Sequence, residues 1–165
     1  MHYDDVYLSP DGKPFAKKLT QEQQDSINKL RLALIALGDN TSAVEAESIA
    51  YDAVVYPLIL ANKWDLMSPP QYHNMLVNAG KRPRGLCYQW AEDLTALMRK
   101  KNLRTFDLHH GMAFRHTKDE HNSLIVSAKG DDLSKGIVLD PWRFSGVLYW
   151  SKVADDKKHP WIKFK

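Results

Sequence analysis

Arg84-Gly85-Leu86-Cys87-Tyr88-Gln89-Trp90-Ala91-Glu92-Asp93-Leu94 is the stretch on which the reading of this chain turns. It contains the only cysteine. Gly85 marks a break, and a helical pattern runs from Cys87 to about Lys101. Cys87, Trp90, Ala91, Leu94 and Met98 fall at i, i+3, i+4, i+7 and i+11, so they share one face of a helix directed at a core. The thiol is thereby placed in the first helical turn. Free backbone N–H groups and the positive end of the helix dipole lie there, and both favour thiolate over thiol. The competing explanation is that cysteine is a small, commonly buried residue that fills space. The residues downstream decide between the two.

Working backwards from Gly85, residues 79–85 form a loop, and three helical segments precede it. Thr20 and Gln23 have the spacing of a capping box, followed by the stripe Ile27, Leu30, Leu34 and Leu37, which Gly38 ends. Thr41 or Ser42 caps a second helix reaching about Trp64, which Pro57 is expected to kink or break. Ser68 caps a short third helix, with Pro69 and Pro70 in its first turn. Residues 1–18 carry Pro10, Gly12 and Pro14 without periodicity and read as an extended surface arm.

Working forwards, the period changes from about 3.6 to 2 after Lys101. Phe106, Leu108, Met112 and Phe114 alternate with polar or small residues. His121 to Ala128 alternates again, a turn carries Gly130, a third strand runs from Gly136 to Leu139 and stops at Pro141, and Val147 to Trp150 is a fourth. Residues 155–165 form a charged tail in which Trp161 is a candidate clasp. Helices first and a short antiparallel sheet afterwards make an α+β domain. The parts are an arm (1–18), a helical layer (20–80), a core with the chemistry (85–151) and the tail.

His121 opens the second strand and Asp140 closes the third. With the hairpin centred between Gly130 and Asp131, the two are expected to be cross-strand neighbours. A histidine taking the thiol proton from Cys87, held and stabilised by a carboxylate, is the arrangement that nucleophilic catalysis needs.

These residues resemble the transglutaminase-like branch of the papain-like superfamily, and in particular its small bacterial members. The resemblance rests on Gly85-Leu86-Cys87 opening a helix, His121-Asn122-Ser123-Leu124-Ile125-Val126 on a strand, and Val138-Leu139-Asp140-Pro141-Trp142 after it, in the order Cys, His, Asp. It spans roughly residues 84–150. It implies a nucleophile helix packed on an antiparallel sheet and a cysteine-dependent hydrolase or acyltransferase acting on a peptide, isopeptide or amide bond, without a cofactor. It departs from the family at Tyr88, where many members have Trp directly after the cysteine. The backbone N–H of Cys87 is one expected oxyanion donor. Tyr88, Gln89, Trp90 and Trp142 are candidates to wall the site or support the oxyanion, with Gln71, Tyr72 and His73 as further candidates for a second donor.

Two other functions compete: a transglutaminase-like scaffold that binds without catalysis, and a metal site built from the cluster His109, His110 and His116 with His121. A zinc site needs three or four ligands that converge, and neighbouring strand residues such as His109 and His110 point to opposite faces.

The bulk composition sets the limits. The 165 residues suit one domain. Hydrophobic residues at 44%, charged residues at 26% and a net charge of +3 describe an ordinary globular chain without the basic excess that nucleic acid demands. The longest apolar run, residues 53–61, contains Pro57 and is too short to insert in a membrane. A monomer acting on a protein, peptide or amide substrate is expected. Residues 1–10 carry no apolar segment of a signal peptide, which leaves both a mature exported or periplasmic form and a cytoplasmic one open.

Overall fold

The computed structural model describes residues 1–164. The elements follow in the order β1 (Val6–Leu8), β2 (Pro14–Ala16), α1 (Gln21–Ile35), α2 (Ala43–Lys63), α3 (Pro70–Asn78), α4 (Cys87–Arg99), β3 (Phe106–Ala113), β4 (His121–Ala128), β5 (Ile137–Phe144), β6 (Val147–Lys152) and β7 (Ile162–Lys163). Five strands form one antiparallel sheet in the order β6-β5-β4-β3-β7, and β1 and β2 pair separately. The described residues are therefore α+β, with four helices, a five-stranded sheet and a separate two-stranded one.

The alternation read from the sequence sorts the sheet into two faces. Phe106, Leu124, Val126, Ile137 and Leu139 point to one face and pack against Leu30, Leu34, Ile49, Ala53, Leu94 and Met98 of α1, α2 and α4. Ala113, Ile125 and Val138 point to the other, where Leu133 and Trp161 cover them. Burying these side chains on two faces is the main stabilisation of the sheet. Gly111 makes the second layer possible, because a Cβ there would meet Ile125 at 2.4 Å and the Trp161 indole at 3.2 Å.

Helix α1 begins as its residues require. Thr20 accepts from the Gln23 backbone N–H at 3.1 Å, and the Gln23 side chain accepts from the Thr20 N–H at 2.9 Å. Ser42 caps α2 by accepting from Glu45 N–H at 3.1 Å. Thr41 instead turns back to close α1, donating to Ile35 O at 2.6 Å.

Several expectations need correction. Pro57 does not break α2, which runs uninterrupted from Ala43 to Lys63. The helix is packed by α1, α4, β2 and β6 along its length, and that burial outweighs the proline's cost of about 3 kcal/mol in lost bond and ring clash. Pro69, not Ser68, occupies the N-cap of α3. Residues 1–18, read as an extended surface arm without periodicity, contain two paired strands: β1 and β2 form a hairpin against α2, and Tyr3 exchanges hydrogen bonds with the Asn62 side chain at 2.7 and 2.6 Å. Strand β5 does not stop at Pro141. It continues to Phe144 through an irregularity just after Asp140, where a missing N–H does least damage to the ladder. The tail contributes a fifth strand, β7, on the free edge of β3.

Candidate active site

Helix α4 starts at Cys87, with Leu86 as N-cap in an extended conformation. Leu86 has no side-chain acceptor to offer, and the missing cap is supplied from within the helix. Gln89 Oε1 accepts from the N–H groups of Gly85 at 2.9 Å and Leu86 at 3.0 Å. The approach to the helix is tight. Gly85 has φ +133°, and a Cβ there would stand 2.4 Å from the His73 ring. His73 is itself buried, accepting at Nδ1 from Met67 N–H at 3.2 Å and donating from Nε2 to Arg84 O at 2.8 Å. Arg84 then pairs with Asp93 at 2.9 Å and Glu92 at 3.1 Å, tying the loop to the first turns of α4. Together these contacts fix where the thiol emerges. Cys87 is neither sealed in the core nor freely exposed.

His121 and Asp140 are both buried, and His121 Nε2–H donates to Asp140 Oδ2 at 2.6 Å. They are not directly opposite. The ladder pairs Leu124 with Leu139, so one further step sets Asp140 against Ser123, two residues along from His121. The short helical turn Leu133–Lys135 lengthens the connection and displaces the register from the one expected. An offset of two keeps both side chains on the same face, so the bond survives.

A network holds Asp140 in place. Trp142 N–H donates to its Oδ1 at 3.1 Å, and Arg143 Nε–H donates to Oδ2 at 2.7 Å. Arg143 also clasps the buried Asp156, which accepts from Trp161 Nε1–H at 2.8 Å. The His121 ring is walled by Trp142 at 4.9 Å, His159 at 4.8 Å and Trp161 at 5.5 Å between centroids.

The electrostatics follow from these contacts. Burial pushes Asp140 up, but the bond and charge of His121 and the Arg143 guanidinium outweigh it and hold the carboxyl below its ordinary value. Burial pushes His121 down, and Asp140 and the Cys87 sulfur more than reverse that, raising it to about 9. Burial pushes the Cys87 thiol up, and the His121 interaction, helped by the backbone and side chain of Asn122, brings it below its ordinary value. Since Nε2 is committed to Asp140, Nδ1 is the nitrogen left for the sulfur. His159 moves the other way. Burial and the cations Arg143 and His121 push it down to about 4, so it stays neutral beside a charged neighbour.

Cys87, His121 and Asp140 are thus brought together, and Trp142 walls the ring. Other candidates are placed elsewhere. Trp90 does not line the site: it is 1% exposed and packs edge-on against Trp64 at 4.6 Å, in a cluster with Leu60 and Leu66. Gln89 is occupied as the helix cap. His73 is a structural strut of the Gly85 loop. Gln71, Tyr72 and Tyr88 are exposed, and none of them has a bond to the thiol. Among the described residues no three His, Cys, Asp or Glu side chains converge as metal ligands. His109 turns to Ser127 at 2.8 Å, His110 to Asn122 at 2.7 Å on the other face, and His116 lies exposed in a turn.

Asn122 is the residue that sequence reasoning missed. It is buried, and its Nδ2 stands 3.9 Å from Cys87 Sγ. Its neighbour His121 points to the opposite face of the sheet, yet the sulfur meets both, because the thiol sits at the end of β4 where the strand begins. A signal was present in the sequence: Asn122 shares the alternating face of Leu124 and Val126, which is the face α4 covers.

A cleft of about 280 Å³ opens between α4 and β3, lined by Ala91, Glu92, Thr95, Arg99, Leu108 and the two histidines His109 and His110, and none of Cys87, His121 and Asp140 lines it. A larger cleft of about 790 Å³ lies away from the thiol, between the β1–β2 hairpin, α2 and the end of α4. No helix among the described residues is long and apolar enough to cross a membrane. None of the known family models, curated proteins or solved structures compared with the chain matches it.

Proposed function

We propose that this chain is a cysteine-dependent hydrolase or acyltransferase acting on a peptide, isopeptide or amide bond, with a papain-like, transglutaminase-like core. The observation that carries the reading is the buried 2.6 Å bond between His121 and Asp140 with the Cys87 sulfur against the same ring. A histidine raised to about 9 and a thiol lowered from its ordinary value favour a thiolate–imidazolium pair near neutrality.

The chemistry follows from that pair. The Cys87 thiolate attacks the carbonyl carbon, forming the S–C bond and moving the C=O π pair onto oxygen. Collapse restores the carbonyl and breaks the C–N bond, and the leaving amine takes the proton from His121 Nδ1. Water or an acceptor amine then attacks the thioester while His121 takes its proton, and the sulfur leaves as thiolate. Water makes the chain a protease or amidase, and an amine makes it a transglutaminase. Asp140 keeps its charge throughout, holding the ring and stabilising the imidazolium.

The test is the alkylation rate of Cys87 by iodoacetamide between about pH 5 and pH 9. In the wild type the rate stays high near pH 6, where a free thiol of pKa about 8.5 is almost wholly protonated. His121→Ala returns the profile toward that of a free thiol, and Asp140→Asn does so partly. Coincident profiles for wild type and His121→Ala would leave a scaffold that binds without catalysis as the better reading.

A further inference from the structure

Every acyl transfer through a thiolate builds negative charge on the former carbonyl oxygen, and something must receive it. The amide of Cys87, at the first turn of α4, supplies one donor. Gln89 is occupied as a cap and Tyr88 is exposed, which leaves the strand side of the sulfur for the second.

Asn122 is 6% exposed. Its carboxamide has two ends, and one of them is fixed. Oδ1 lies 2.7 Å from His110 Nε2. An amide oxygen only accepts, so His110 must carry its proton on Nε2, and that bond turns the NH2 group the other way. The NH2 group stands 3.9 Å from Cys87 Sγ. A donor at this distance bonds sulfur weakly. It leaves room for an oxygen, carried on the carbon that joins the sulfur, at the 2.7–3.1 Å an oxyanion requires. The His110 ring is held in turn by stacking on Phe164, with centroids 4.6 Å apart and planes 26° from parallel.

Resting on the thiol chemistry proposed above, we infer that Asn122 is a catalytic residue, donating its side-chain N–H to the oxyanion, and that His110 is the positioning residue that aims it. As the S–C bond forms and the π pair moves to oxygen, the carboxamide N–H is already in place. As the intermediate collapses, the oxygen's electron pair re-forms the C=O bond, the leaving group departs with the pair of the bond it breaks, and the hydrogen bond from Asn122 relaxes. No proton leaves Asn122 at any stage. The histidine next to the nucleophile thereby has a counterpart on the opposite face of the same sheet: His121 moves a proton, and His110 sets an orientation.

Two reactions of one sulfur separate this role from a structural one. Alkylation by iodoacetamide needs the thiolate and forms no oxyanion. Acylation by p-nitrophenyl acetate needs both, and its burst of p-nitrophenolate reports the acyl step. Asn122→Ala should lower the burst rate by about 100-fold, the effect of losing one oxyanion donor. Its alkylation rate at pH 9 should stay within about twofold of wild type, which also shows that the fold and the thiol survive. His110→Phe preserves the stack on Phe164 and removes the bond to Oδ1. It should lower the burst about 10-fold, and His110→Gln, which retains an N–H, should recover part of that loss. An unchanged burst rate in Asn122→Ala, or equal losses in burst and alkylation, overturns the assignment while the triad stands. A wild type that gives no burst and alkylates like a free thiol overturns both the triad and the assignment.

Discussion

Arg143 donates to the same oxygen of Asp140 that accepts from His121. Oδ2 lies 2.7 Å from the guanidinium Nε and 2.6 Å from the imidazole Nε2. One carboxylate oxygen therefore serves two cations, and the far end of Arg143 holds a second buried carboxylate, Asp156. Arg143 neutralises a buried site that would otherwise concentrate negative charge. Its rigid planar fork spans both acids, which a lysine ammonium does not do.

Removing Arg143 leaves Asp140 and Asp156 buried with one cation fewer. Arg143→Ala is expected to destabilise the fold by about 3–5 kcal/mol, the range for breaking a buried ion pair from one side. Arg143→Lys should recover only part of this. Urea unfolding followed by tryptophan fluorescence reads both. A loss below about 1 kcal/mol for Arg143→Ala would mean that the bridge to Asp156 is open in solution.

Stability should peak near pH 6.5. Folding raises His121 from 6.5 to about 9, so its contribution is complete below 6.5 and is lost as pH climbs through 9. Folding lowers His159 from 6.5 to about 4, so the unfolded chain binds more protons between those values and stability falls on acidification through that window. The two neighbours shift in opposite directions and bound the optimum from both sides. Melting temperatures from pH 4 to pH 10 should fall by a few degrees on the acid limb and by less on the alkaline one, where the lowered Cys87 thiol opposes the imidazole. His159→Phe should flatten the acid limb. Folding also lowers the Cys87 thiol, which adds stability as pH rises and opposes the His121 limb, so Cys87→Ala should steepen the alkaline limb while Asp140 keeps His121 raised. In Cys87→Ala, where no thiol opposes the imidazole, a melting temperature that rises steadily between pH 6.5 and pH 9 is incompatible with a protonated His121 in the folded state.

Gly85→Ala should disturb the thiol from a distance. The position has φ +133° and no room for a Cβ beside the His73 ring. Strain and displacement of His73 together should cost about 2–4 kcal/mol. The loop carrying Arg84 and the start of α4 would shift with them. The same variant should slow alkylation of Cys87 near pH 6, because the sulfur leaves the His121 ring. Wild-type stability and wild-type alkylation in Gly85→Ala would show that the tight approach of Gly85 to His73 is not maintained.

The legible parts of this molecule are those written as local pattern. The Thr20–Gln23 box, the stripe that puts Cys87 at the foot of α4, and the alternation that starts at His121 are each decided within a few residues. Asp140 was reached by strand pairing, and the register was off by two because a helical turn at Leu133–Lys135 has no strong local signature. What escaped depends on distant partners. Nothing near Ile162 announces a two-residue strand, since it exists only because the edge of β3 is open. Trp90 shares a stripe with Cys87 and was assigned to the site, yet Trp64, outside that stretch, draws it into the core. Asn122 needed knowledge of which sheet face α4 covers and of His110 on the adjacent strand.

Strand β7 gives the assembly of the site a direction in time. The chain leaves the sheet at one edge, on β6, passes Asp156, His159 and Trp161 across the face that carries His121, and rejoins at the opposite edge beside β3. Every residue of that crossing follows the rest of the site in order of synthesis. A ribosome delivers the sulfur of Cys87 first, the imidazole next, its carboxylate and arginine after that, and the enclosing indole last. Until residues 156–161 emerge, Arg143 lacks its second acid and the His121 ring lacks its walls His159 and Trp161. Assembly of the site is therefore ordered along the chain, and the surroundings that set the histidine's charge are complete only after the nucleophile has long been made.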